Sequence, residues 1–454
     1  MSESRTLKHG GIWELLRIAM PLIMASSSHA MRLFSDRIML AQLSSEALAA
    51  SLSAGLMSFM FMSFFLGVVN YTSTFVAQYT GAKRPHQVGP AVWQGFFLAL
   101  GGGVILGTGA FWGAPLFRLV GHDPAVQVEQ MAYFQIVSAM AGFPLVVAAL
   151  NAFWRGRGKT WIVLMIEGST VVLNILLNYL LIFGHYGFPR LGIAGAALAT
   201  GLSSLVGCIL AASLLLAARN RREFHTWPVR KWDPVLMKRL LQYGMPNGIH
   251  FFLDISAFNL FTILFGWLGK AEQEAAAIAF SMNAIAFIPM IGIGITVSIL
   301  VGQAIGAQNL APARRAVHSA MTVVLLYMGT IGLLFVFKPM LFVNLFMRGD
   351  GADQARAMSL AADFLKYIAA YLLFDGLFIV YNSAIKGAGD TRFAMVAGVT
   401  LAWALMVLPC LVAYRLGAGP HLLWGIFICY VMISGLVFFA RYRAGHWTSM
   451  SVIG

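Results

Sequence analysis

The sequence predicts an all-α polytopic membrane protein: twelve transmembrane helices in two six-helix bundles related by a parallel pseudo-two-fold repeat. Three observations carry that prediction: an apolar composition, basic residues confined to alternate loops, and text that recurs after about half the chain. Of 454 residues, 59% are hydrophobic and 11% charged, whereas a soluble domain carries about a quarter of its residues as Asp, Glu, Lys and Arg. Apolar stretches of bilayer-crossing length, about 20 residues, recur from end to end. They are long and do not alternate in polarity, which favours helices over a barrel.

The spans fall at 12–42, 46–79, 88–119, 124–153, 161–184, 192–218, 237–268, 272–306, 312–345, 356–385, 392–416 and 420–440. The segment after MSESRTLKHG is too long for a signal-peptide core and lacks a small-residue cleavage site, so it reads as the first span. Basic residues gather in alternate loops: Lys83–Arg84, Arg155–Arg157–Lys159, Arg219 through Arg239, Arg314–Arg315, Lys386–Arg392 and Arg441–Arg443. The other loops are nearly free of them. The positive-inside rule then places both termini and the basic loops in the cytoplasm, with the chain in the plasma (bacterial inner) membrane. The net charge of +14 is accordingly a topology signal, with membrane lipids and not nucleic acid as its partner. Cys208, Cys410 and Cys429 lie in apolar runs without disulfide or metal-ligand spacing and read as small packing residues.

The chain repeats itself. An offset of 225 residues relates Pro21 to Pro246, Gln78 to Gln303 and VAQYTGAKRP to VGQAIGAQNL. Later the offset becomes 231, relating NAFWRGRGKT (Asn151–Thr160) to NSAIKGAGDT (Asn382–Thr391). The extra six residues fit the longer outer loop MRGDGADQARA. Each half holds an even number of spans, so both enter the membrane in the same sense, as in parallel-repeat secondary transporters with a cleft between the bundles. The expected divisions are 1–216, a basic cytoplasmic linker at 217–234, and 235–454.

A charge at mid-bilayer costs about 2.5–3.5 kcal/mol on insertion scales, so an intramembrane ionisable group is a functional hypothesis by default. Most acids, including Asp123, Glu272 and Asp350, sit in loops or at helix ends; Asp36, Glu167, Asp254 and Asp375 remain. Asp254 and Asp375 fall near the middle of spans seven and ten, at similar depth. Two carboxyls sharing a poorly hydrated site repel, so at least one is expected to hold a proton near neutral pH. Such a pair can take up a proton or sodium ion. Tyr371, one turn before Asp375, shares its helical face. In the first half, Asp36 stands beside Arg32 and Arg37, and Asn174 and Asn178 share one face of span five. Their bland readings are an interfacial ion pair and interhelical amide glue. Glu167 reads as structural.

Two motifs are weak. RGRGKT resembles the tail of a phosphate-binding loop, but its first glycine would be Phe153 and no strand precedes it. GAGD, Gly387 to Asp390, matches the GxGD of intramembrane aspartyl proteases, yet Asp390 falls in a basic turn.

Twelve spans in two parallel halves, SDRIML at the end of span one, LNILLNYLLIFG in span five and IKGAGDTR after span ten together resemble the multidrug and toxic compound extrusion (MATE) family. The acid in span seven with Tyr371 and Asp375 is similar to its NorM-type branch. That branch usually carries Glu where this chain has Asp254. The resemblance implies a non-enzymatic antiporter, without cofactor, exporting amphiphilic organic cations as a monomer by alternating access, coupled to H+ or Na+. By resemblance the coupling residues fall on Asp254, Tyr371 and Asp375, where a Na+ ion would bind, and on Asp36, Asn174 and Asn178 in the first half. The alternatives are a lipid-linked oligosaccharide flippase of the same superfamily, with Arg17 and Lys366 as its intramembrane cations, and an intramembrane aspartyl protease. Twenty-four Met and thirty-four Phe suit adaptable cavity walls.

Overall fold

The computed structural model describes residues 9–120, 124–227, 232–346 and 352–454. Asp123, Asp350 and linker residues 228–231 lie outside the described residues. The first half runs α1 (Ile12–Leu43), α2 (Ser45–Asn70), α3 (Thr72–Gly81), α4 (Val88–Val120), α5 (Pro124–Met140), α6 (Gly142–Gly156), α7 (Thr160–Phe183), α8 (Ile193–Leu215) and the short α9 (Ala218–Phe224). The second runs α10 (Pro234–Leu268), α11 (Lys270–Gly306), α12 (Leu310–Phe337), α13 (Pro339–Val343), α14 (Ala352–Ala388), α15 (Thr391–Leu401), α16 (Leu408–Arg415) and α17 (Pro420–Arg443). A π-helical turn, Ala402–Val407, joins α15 to α16. No strand occurs among the described residues.

The protein is an integral, multi-pass membrane protein, and eleven helical stretches among the described residues are long and apolar enough to cross a bilayer. The twelfth expected span, α1, has 32 residues, enough to cross a core about 30 Å thick. Glu14, Arg17, Arg32, Asp36 and Arg37 lie along it. Three other expected spans are each broken by one residue: Tyr71 between α2 and α3, Ala141 between α5 and α6, and Lys338 between α12 and α13.

The chain forms two compact units, one of Met24–Phe252 with Val452–Gly454, the other of Met1–Ile23 with Leu253–Ser451. Their limits fall inside α1 and α10, not at the linker. In the first of these units α10 approaches α2 backbone to backbone: a Cβ on Gly67 would lie 2.6 Å from Gly248 Cα, and Asn247 Nδ2 donates to the Gly67 carbonyl at 2.7 Å. Its last residues dock through Val452 N–H on Gln78 Oε1 (2.9 Å) and Arg239 on the Ile453 carbonyl (3.1 Å). In the other unit, Ser319 Oγ of α12 donates to the Gly10 carbonyl at 3.0 Å, just before α1. Small residues permit the close crossings on which membrane helices depend: a Cβ on Gly435 would lie 2.5 Å from the Phe374 carbonyl of α14.

The repeat recurs at the level of single turns. Lys83 and Gln308, 225 residues apart, are both left-handed (φ 55° and 53°). The amides of Lys83 and Arg84 close on Thr80 and Tyr79, as those of Gln308 and Asn309 close on Ile305 and Ala304. At the offset of 231, Gly158 and Gly389 both take positive φ and begin matching turns before α7 and α15. Cys208 and Cys410 are buried, as packing residues should be, but Cys429 is exposed on α17.

Candidate functional site

In the first-half unit, α1 and α7 bring the three expected polar residues together. Asn174 and Asn178, one turn apart, are fully buried, and Asp36 is 8% exposed. Asn178 Nδ2 donates to Asp36 Oδ1 and to Asn174 Oδ1 at 3.3 Å. Asn174 Nδ2 in turn donates to Thr200 Oγ1 of α8 at 3.3 Å. Asn178 Oδ1 is buried without a partner among the described residues. Arg32 and Arg37 act on Asp36 electrostatically, while its hydrogen bond goes to an amide. Asp36, both arginines, Tyr133 and Thr200 border a cavity of about 350 Å³, within the range of small-molecule sites. Phe59, Met62 and Met140 supply apolar wall. Asn178 holds Asp36, and Asn174 braces Asn178.

The other unit gathers the second expected set. Asp254 comes from α10, Tyr371 and Asp375 from successive turns of α14. The two carboxylates act on one another electrostatically, and Tyr371 lies in the field of Asp375. Both are partly buried. Neither enters a salt bridge among the described residues. Tyr371 is 2% exposed; Phe427 packs edge-on against it at 5.3 Å, and its hydroxyl is buried with no hydrogen-bond partner. An orphaned buried hydroxyl is costly unless a water or ion completes it.

Three further groups belong to this site. Lys386, near the end of α14, interacts electrostatically with Asp254. Tyr430 of α17 lies within the field of both carboxylates. Trp403, in the π-helical turn, donates Nε1 to the Leu253 carbonyl at 3.3 Å, one residue before Asp254. Lys386 reads in sequence as one more basic loop residue; the clue was its repeat partner Arg155, which bonds Asn70 Oδ1 at 2.8 Å inside the other unit. No pattern in the chain announces the π-helical turn.

The remaining candidates are structural. Glu167 accepts from Asn151 Nδ2 at 2.9 Å. Asp390 of GAGD lies at the turn between α14 and α15, paired with Arg441 Nε at 2.8 Å, whose guanidinium also covers Phe393 at 4.5 Å. Lys366 pairs with Asp363 at 3.0 Å, and Arg17 is exposed.

The chain is similar to known proteins in sequence and in fold. The MatE family profile matches residues 21–180 and 246–412, one block in each repeat. A probable multidrug resistance protein NorM of Rhodopseudomonas palustris is 28% identical over 437 residues, covering 95% of this chain and 91% of that one. Its counterpart in Pseudomonas putida is 30% identical over 425 residues, covering 90% and 89%. Among solved structures, an outward-facing multidrug resistance MATE transporter superposes with a TM-score of 0.83 at 19% identity over 97% of this chain and 98% of that one. A MOP-superfamily transporter from Pyrococcus furiosus gives 0.85 at 19% over 98% and 100%. At such identities the structural likeness speaks for the fold. The sequence matches go further: they span both repeats and nearly the whole length, and the chain belongs to the multidrug and toxic compound extrusion family, in its NorM-type branch.

Proposed function

We propose that the protein is a transporter and not an enzyme: a monomeric antiporter that exports amphiphilic, mostly cationic drugs and toxic compounds by alternating access, driven by inward H+ or Na+ flow. It acts in the bacterial inner membrane with both termini cytoplasmic, an orientation supported by the basic loops. The observation that carries the reading is the Asp254–Asp375 pair, two interacting carboxylates outside any salt bridge among the described residues, beside a Tyr371 hydroxyl with no hydrogen-bond partner among them. A proton or Na+ relieves their repulsion, and the phenolic oxygen supplies a neutral ligand of the oxygen type that hard cations take.

Asp36 and its cavity provide the complementary chemistry for cargo. Its carboxylate attracts a cationic head while methionine and aromatic walls accept varied apolar bodies. Ion and cargo must favour different states, because only differential affinity shifts a conformational equilibrium. One monovalent cation moving inward contributes about 2.3 kcal/mol per 100 mV. A cationic cargo spends that potential on leaving, so exchange of one for one is electroneutral and runs on the chemical gradient of the ion.

Dye efflux from proteoliposomes under separately imposed pH and Na+ gradients tests the coupling. Wild type is expected to respond to one gradient, and Asp254→Asn or Asp375→Asn to lose the response; full gradient-driven efflux in both folded variants would falsify it. The flippase reading has one observation in its favour, Arg32 and Arg37 on the first-half cavity. It predicts that Arg32→Ala/Arg37→Ala abolishes transport while Asp254→Asn leaves it intact.

A further inference from the structure

Away from both acidic sites, the first-half unit holds a cavity of about 400 Å³ lined by Thr80, Lys83, Pro85, Arg157, Lys159 and Glu223 with Phe224. It lies where the turns after α3 and α6 meet α9, among the basic loops. Its charge is unbalanced. Glu223 is engaged by Arg219 at 3.6 Å, and among the described residues no salt bridge forms to Lys83, Arg157 or Lys159.

The backbone and the aromatic packing place these cations. Lys83 sits in the left-handed residue of its turn (φ 55°), a conformation that a side chain other than Gly, Asn or Asp adopts at a cost. The Arg157 guanidinium carbon sits over Phe224, 3.8 Å from the ring centre, and 4.6 Å from that of Phe153. Contact with the rings holds the guanidinium, whose N–H groups can bond an oxyanion; one Nη is buried with no partner among the described residues. Burial also lowers the Arg157 pKa, a tendency that a bound anion opposes. Lys159 directly precedes α7, whose first-turn N–H groups present positive potential.

The repeat supplies an internal control. Gln308 occupies the position of Lys83 with the same φ and the same two hydrogen bonds. Ala388 stands for Arg157, and Asp390, taken up by Arg441, stands for Lys159. The fold therefore builds these turns without cations. The second half meets its topological demand for positive charge elsewhere, at residues such as Arg314 and Arg392.

We propose that the cavity is a binding site for a phosphate group, held by Lys83, Arg157 and Lys159. The headgroup of an acidic phospholipid and a free phosphate compound share that chemistry; basic pockets beside transmembrane helices bind acidic headgroups in general. The site uses none of the residues assigned to ion coupling or cargo, so it stands or falls separately from the transport reading.

The test is native mass spectrometry of the full chain in detergent, titrated in parallel with phosphatidylglycerol, phosphatidylcholine and inorganic phosphate. Three proteins are compared: wild type, Lys83→Gln/Lys159→Gln, and Arg314→Gln/Arg392→Gln. All four substituted side chains are exposed, and thermal melting confirms that each variant folds. Wild type is expected to retain phosphatidylglycerol over phosphatidylcholine by about ten- to thirtyfold, the scale of two basic residues at about 1 kcal/mol each. The first double variant should fall to within about twofold of no preference, and the second, with the same charge removed elsewhere, should keep it. Phosphate binding alone, lost in the first variant, assigns the site to a soluble phosphate compound; phosphatidylglycerol binding without phosphate binding assigns it to the membrane. Equal retention of both lipids with no phosphate bound, or an equal loss in the two double variants, overturns the proposal.

Discussion

The two halves of this chain fold the same local turns and then spend them on different chemistry. Lys83 and Gln308 share a left-handed φ and a hydrogen-bond pattern, yet the polar centres do not correspond. The residue 225 after Asp36 is Phe261, fully buried and stacked on Phe427 at 4.7 Å. Those 231 after Asn174 and Asn178 are Leu405 and Pro409. In the other direction, Asp375 answers to Pro144, which lines the first-half cavity. One half has a carboxylate held by amides beside a roomy apolar cavity. The other has two interacting carboxylates, a bare tyrosine hydroxyl and a lysine. A duplicated scaffold keeps its turns because backbone geometry demands them, while interior side chains are free to diverge; the function we propose gives cargo to one half and ion to the other.

That division is open to direct attack. The largest effect is expected from Asp254→Asn and Asp375→Asn: gradient-driven efflux should drop on the order of 100-fold, about 2.7 kcal/mol of coupling, with equilibrium dye binding kept. Loss of dye binding with coupling retained would reverse the assignment of the halves. Next, Gly248→Ala and Gly435→Ala should each destabilise by about 1–3 kcal/mol in thermal melts, since the added methyl meets backbone in both units and an overpacked contact costs that much. A large effect in one unit alone would show that the scaffold is not held equally. Asp36→Asn should weaken cationic dye binding about tenfold, or ~1.4 kcal/mol, while the surviving flux still follows the ion gradient. The smallest effect is the sharpest: Tyr371→Phe should reduce ion affinity severalfold while stability stays within about 0.5 kcal/mol, because the hydroxyl removed has no protein partner. Unchanged ion dependence would take Tyr371 out of the site.

Several features were legible in the chain because each follows from a local rule. Span length and apolarity follow from bilayer thickness, and the rarity of intramembrane acids singled out Asp36, Asp254 and Asp375. The repeat offset of 225 sets Lys83 opposite Gln308, and the two share a left-handed φ. Spacing of four residues placed Asn174 and Asn178 on one face, and the structure turns that face toward Asp36. Other features were not legible. Lys386 looked like loop charge until helix packing carried it beside Asp254. The break at Tyr71, the π-helical turn that aims Trp403 at Leu253, and the allotment of Met1–Ile23 to the unit of the second half leave no periodic trace.

By itself, then, the sequence determined that the chain crosses the membrane many times, that it was doubled, and which acids are expensive enough to need a purpose. Those properties depend on one residue and the solvent around it, or on one stretch compared with another. Only the tertiary structure decided which acids meet, which are already satisfied as Asp390 is by Arg441, and where three cations line one cavity. Such matters depend on a few ångströms between helices far apart in the chain, and contacts of that kind are set by packing that no single segment encodes.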